Sequence, residues 1–121
     1  MNPLDKALLC VNIILERKAA DPVLFKVAKL TSITDYFLIA SGKSSRQVQA
    51  IAQHLHRRMK EEGFTAFGIE GEKDGHWILL DYSDVVIHLF YQPIREFYDL
   101  EGLWVEAPRV KINKKAAKDE K

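Results

Sequence analysis

Three carboxylate or imidazole side chains crowd one stretch of this 121-residue chain: Asp81, Asp84 and His88. Carboxylates and an imidazole that converge from one hairpin can hold a metal ion or act as acid and base. Their spacing opposes both uses. Asp84 and His88, four apart on an extended strand, share a face but stand roughly 13 Å from each other, and Asp81 could approach only one of them. The plainer reading makes Asp81 or Asp84 a turn residue bonding its own backbone, and His88 a histidine at the core edge.

Gly42-Lys43-Ser44-Ser45 could offer free amides to a phosphate at a helix start. One glycine without a second matches neither the phosphate loop nor the dinucleotide fingerprint, so capping by Ser44 or Ser45 is the simpler reading. His54 and His56, two apart on a helix, face different ways and cannot chelate together. Cys10 has no base near it in sequence and no partner for an internal disulfide. No serine sits in a Gly-x-Ser-x-Gly elbow. Arg57, Arg58 and Lys60 lack the interleaved aromatics of a single-strand platform and read as a solvated helix end.

A binding surface is the stronger reading. Between Asp81 and Glu106 the acids Asp81, Asp84, Glu96, Asp99, Glu101 and Glu106 are opposed only by Arg95. Trp77, Tyr98, Leu100 and Trp104 adjoin them, and Trp and Tyr combine large area with a polar handle. Such a surface repels phosphates and attracts a basic partner. Trp77, beside a charged loop bracketed by Gly71 and Gly75, reads as an interface residue. Trp104 divides evenly between interface and core.

The elements that must position these residues follow from periodicity. Asn2-Pro3 starts a helix carrying Leu4, Leu8, Val11, Ile14 and Leu15, which Asp21-Pro22 should end. Strands are expected over Val23–Leu30 and Asp35–Ser41, the second short, apolar and therefore central. A second helix carries Val48, Ile51, Ala52, Leu55 and Met59, stopped by Gly63. Phe64–Ile69 reads as a strand, and Gly75–Tyr91 as an antiparallel hairpin turning at Asp81–Asp84. Alternation puts Trp77, Leu79 and Asp81 on one face, and Ile78, Leu80 and Tyr82 on the other. A helical turn at Pro93–Tyr98 and an apolar flap of Leu100, Leu103 and Trp104 follow. The expectation is a single compact α/β domain over residues 1–108, with a mixed five-stranded sheet and flanking helices. Residues 109–121 hold six Lys or Arg against two acids, +4 in all, and read as a basic tail, disordered from Lys111 onward. With a total of +1 the first 108 residues carry −3. No apolar run approaches the ~20 residues of a membrane span. The N-terminus lacks the marks of a signal or transit peptide, so a cytoplasmic protein is expected.

Three blocks, SITDYFLIASGKSSRQVQAIA, EGEKDGHWILLDYSDVVIHLF and REFYDLEGLW, together resemble the ribosomal silencing factor family, also called the Iojap or RsfS family. The resemblance runs from Leu4 to Trp104. It implies a nucleotidyltransferase-like fold without that enzyme class's paired acids, for the corresponding Gln53-His54-Leu55-His56 has no carboxylate. It further implies a non-enzymatic translational repressor needing no cofactor. Such a protein binds a basic protein of the large ribosomal subunit at the inter-subunit face and blocks subunit joining. Trp77, Tyr98 and Tyr82 would anchor it, with Asp81, Asp84, Asp99 and Glu101 supplying charge and Trp104 adjoining. A homodimer when free is a further expectation; a membrane or DNA partner is not. A nucleotide-dependent enzyme on the same fold is the alternative, and direct RNA binding through the lysine tail a third reading.

Overall fold

The computed structural model describes residues 1–112. Helix α1 (Pro3–Glu16) opens on Asn2, whose side chain accepts the Asp5 N–H at 2.8 Å, satisfying one of the amides a helix start leaves free. Strand β1 (Ala20–Lys26) returns beside strand β2 (Tyr36–Gly42), and helix α2 (Ser45–Glu61) crosses over the sheet. Strands β3 (Gly68–Glu70), β4 (Trp77–Asp81) and β5 (Val85–Tyr91) follow, then helix α3 (Gln92–Tyr98), the four-residue helix α4 (Leu100–Leu103) and strand β6 (Arg109–Val110).

The sheet runs β3-β4-β5-β2-β1-β6, antiparallel except for the central β2–β5 pair. All seven residues of β2 are buried, which is why that segment reads as unbroken apolar sequence. Helices α1 and α2 cover one face, where Ile78, Leu80, Leu38, Ala40 and Leu89 meet Cys10, Ile14, Ile51 and Leu55. On the other face Phe25, Phe37, Ile39, Val86 and Phe90 form a second cluster that Trp77, Ile94, Leu100 and Trp104 only partly cover. The expected alternation along β4 holds: Ile78 and Leu80 point to the helices, Trp77 and Leu79 away from them.

Several boundaries differ from expectation. The sheet has six strands among the described residues, not five. Arg109 and Val110, assigned to the tail, pair with Phe25 and Leu24, and the Arg109 guanidinium lies over the Phe25 ring at 5.2 Å. Residues 113–121, the rest of the expected disordered tail, lie outside the described residues. Helix α1 ends at Glu16, with Lys18 in the left-handed region at φ 61°. Asp21-Pro22 sits instead at a bulge in β1, a place where a proline removes no ladder bond. Strand β1 stops at Lys26 rather than Leu30, and β3 is confined to Gly68–Glu70 rather than Phe64–Ile69. No helix among the described residues is long and apolar enough to cross a membrane.

Candidate functional site

The partly covered face owes its shape to one cation. Arg95 on α3 is buried, and its guanidinium donates to Glu101 Oε1 (2.9 Å), the Asp21 carbonyl (2.9 Å), Ser41 Oγ (3.1 Å) and the Ala20 carbonyl (3.3 Å). A planar fork with five donors suits such a junction. It ties α3, α4, β1 and β2 together. Glu101, expected to meet a partner, is thus engaged by Arg95 and serves to hold α4 in place.

Around this staple runs a chain of aromatic rings. Phe97 meets Tyr98 at 5.1 Å, Tyr98 meets Trp77 at 5.1 Å, and Trp77 lies on Phe90 at 4.8 Å. Trp77 also neighbours His88 at 5.9 Å, His88 meets Phe37 at 5.3 Å, and Phe37 meets Trp104 at 4.9 Å. The end nearest α3 is open: Phe97 is 79% and Tyr98 54% exposed, and Trp77 is half-buried. Leu103 and Val105 are exposed as well. Trp104, half-buried against Phe37, seals the second cluster. Asp99 stands at the α3–α4 junction in the left-handed conformation, φ 44°, with its carboxylate folded over Gly102, where a Cβ would lie 2.7 Å from Oδ2.

Two glycines set the register of Trp77. At Gly71 (φ +85°) a Cβ would fall 2.0 Å from the Trp77 carbonyl, and at Gly75 (φ +70°) 2.6 Å from the Ser45 carbonyl. Gln49 on α2 donates to the Glu72 and Lys73 carbonyls, both at 3.0 Å. The charged loop is therefore clamped to α2, and β4 leaves it at one position.

The hairpin tip is different. Asp81 Oδ1 accepts the Ser83 N–H at 2.8 Å, a turn bond of its own backbone. Asp84 pairs with the Lys6 ammonium at 3.6 Å, and Lys6 donates to the Tyr82 carbonyl at 2.7 Å. Tyr82 is corrected outright: only 1% exposed, it packs in the core beneath α1 and cannot anchor a partner. Strand β4 separates this tip from Trp77 by roughly 13 Å, so the acids expected beside the aromatic anchors do not adjoin them.

The remaining candidates are internal. Ser44 Oγ accepts the Gln47 N–H at 3.1 Å and Gln47 Oε1 accepts the Lys43 N–H at 2.6 Å, a reciprocal pair that caps the start of α2. His54 is buried and joins α2 to α1: Arg57 donates to its Nδ1 (2.9 Å), so its Nε2–H donates to Glu16 (2.7 Å). Burial pulls the Glu16 carboxyl upward, but hydrogen bonds from Arg58 and His54 outweigh it and hold that group below its ordinary range. Burial pushes the Cys10 thiol up to about 12, which leaves it inert. His88 is held neutral, its pKa pushed by burial from 6.5 to about 4. Among the described residues no group of three or more His, Cys, Asp or Glu side chains could hold a metal ion.

Phe97 and Val105 are exposed residues of this region that the sequence reading missed, and Leu103, read as part of an apolar flap, is exposed too. Adjacent helix positions lie 100° apart, so Phe97 and Tyr98 could not both face the sheet, and that signal was available. A rigid α/β scaffold presenting an open aromatic ledge with an acidic border has the form of a docking protein.

The profile of the family described as ribosomal silencing factor during starvation matches residues 1–121. A ribosomal silencing factor from Halalkalibacterium halodurans is 39% identical over 104 residues, 86% of this chain and 89% of that protein. A crystal structure from Chromobacterium violaceum superimposes with a TM-score of 0.84 at 35% identity, covering 86% of this chain and 87% of the other. A mouse relative named mitochondrial assembly of ribosomal large subunit protein 1 is 32% identical, over 79% of this chain and 43% of that protein. The chain belongs to the ribosomal silencing factor family, a family of ribosome-binding factors that are not enzymes.

Proposed function

We propose that the chain acts in the cytoplasm as a translational repressor. The ledge of Trp77, Phe97 and Tyr98, bordered by Glu96 and Asp99, docks on a basic protein of the large ribosomal subunit and keeps the small subunit from joining by occupying its place. The observation that carries this reading is the solvent-open end of the aromatic chain, Phe97 and Tyr98 on the half-buried Trp77. Aromatic anchors with a charged rim are the composition of a protein-binding centre, and ribosomal proteins supply the opposite charge. Family membership supplies the ribosome, and the name of the mouse relative points to the large subunit. Asp81 and Asp84, engaged within the hairpin, contribute at most long-range attraction. On a sedimentation gradient at low magnesium the protein should travel with free large subunits and not with joined ribosomes. Equal occupancy of joined ribosomes would sink the steric mechanism.

A further inference from the structure

We propose that His88 positions the docking surface: its Nδ1 accepts the indole N–H of Trp77, at 3.1 Å, and that bond fixes the indole in the plane a partner meets. An indole nitrogen can only donate, so Nδ1 must offer its lone pair and the neutral ring carries its proton on Nε2. That second nitrogen is buried and has no hydrogen-bond partner among the described residues. The ring itself is 5% exposed, with Phe37, Phe90 and Trp77 as its aromatic neighbours. Packing alone does not explain an imidazole here. A phenylalanine would fill the same apolar site without an orphaned donor, which is costly when buried. What the imidazole adds is an acceptor aimed at Trp77. A half-buried indole has several staggered alternatives; the bond from below, with Phe90 beneath and Tyr98 alongside, leaves one.

The inference rests on the reading of Trp77 as part of a docking face, but its first test does not. Nitrogen NMR of the free full-length chain should show His88 as the Nε2–H tautomer. The Trp77 indole N–H, identified by its absence in Trp77→Phe, should exchange slowly. In His88→Asn, whose Oδ1 can replace Nδ1, that signal should persist; in His88→Phe it should move to the position of a free indole. Co-sedimentation with purified large subunits is the second readout. His88→Phe should bind about tenfold more weakly while melting no lower than wild type, and His88→Asn within about threefold of wild type. A Nδ1–H tautomer, or an indole signal unmoved in His88→Phe, overturns the proposal. So does wild-type binding by His88→Phe when Trp77→Ala has lost binding, an outcome that leaves the docking face standing. If Trp77→Ala also binds like wild type, the docking face falls and the tautomer alone judges His88. Should His88→Phe fail to fold, the wild-type tautomer and His88→Asn still decide.

Discussion

The two ends of the β4–β5 hairpin carry similar residues and use them in opposite ways. At the tip, Asp81, Asp84 and Tyr82 are all engaged within the chain, by the Ser83 amide, the Lys6 ammonium and the core beneath α1. At the far end, where Trp77 meets α3, the rings pack on one another at tilted and edge-on angles and stop at solvent. A carboxylate beside an aromatic is therefore not yet a site. What matters is whether the side chain already has a partner, and at the α3 end Phe97 and Tyr98 leave large ring faces without one.

That contrast can be broken in four places. Arg95→Ala should be the most severe, because it strands Glu101, the buried Ser41 hydroxyl and the Ala20 and Asp21 carbonyls, and losing one partner of a buried pair costs about 3–5 kcal/mol. Chemical denaturation should show that loss, and subunit binding should fall with it as α3 and α4 detach. Acid comes next. In the folded chain burial depresses the His88 pKa from 6.5 to about 4, so between those values the unfolded chain binds the extra proton. Stability should fall as pH drops through that window, by about 3 kcal/mol in all. Burial of the ring causes the shift, so His88→Phe should flatten this part of a melting-temperature profile against pH. Tyr98→Ala should weaken co-sedimentation by about 2 kcal/mol, roughly thirtyfold, while leaving the melt nearly unchanged, as expected of an exposed anchor. Asp84→Ala should do the reverse on the smallest scale, costing about 1 kcal/mol or less of stability and about twofold or less in binding. Should Asp84→Ala weaken binding more than Tyr98→Ala, the two ends have been assigned the wrong way round.

Much of this molecule is legible in the chain because its signals are local. Asn2-Pro3 caps α1, Ser44 caps α2, and the run from Tyr36 to Gly42 has no polar period because both its faces are covered. The swing of Trp77 and Leu79 away from Ile78 and Leu80 follows from the pleat. What escaped depends on distant partners. Tyr82 looks exposed at a hairpin turn until Lys6, 76 positions away, closes over its carbonyl. Asp21-Pro22 resembles a helix stop, yet its backbone lies in a strand and the Asp21 carbonyl is held by Arg95. Strand β6 is two residues in a basic stretch, and only pairing with Leu24 and Phe25 makes it a strand. At the candidate site the types of Trp77, Tyr98 and Asp99 were readable. The engagement of Glu101 and the exposure of Phe97 needed the fold.

Because β2 pairs with β5 in parallel, the centre of the sheet cannot close until the whole crossover through α2, β3 and β4 has been made. Parallel pairing across so long a connection is slow to form and rewards nothing partway. Trp77, His88 and α3 come together only on that completed pair, so a chain still being synthesised has no ledge to offer. A chain ending at Asp81 should accordingly show no cooperative melt, whereas the full chain should.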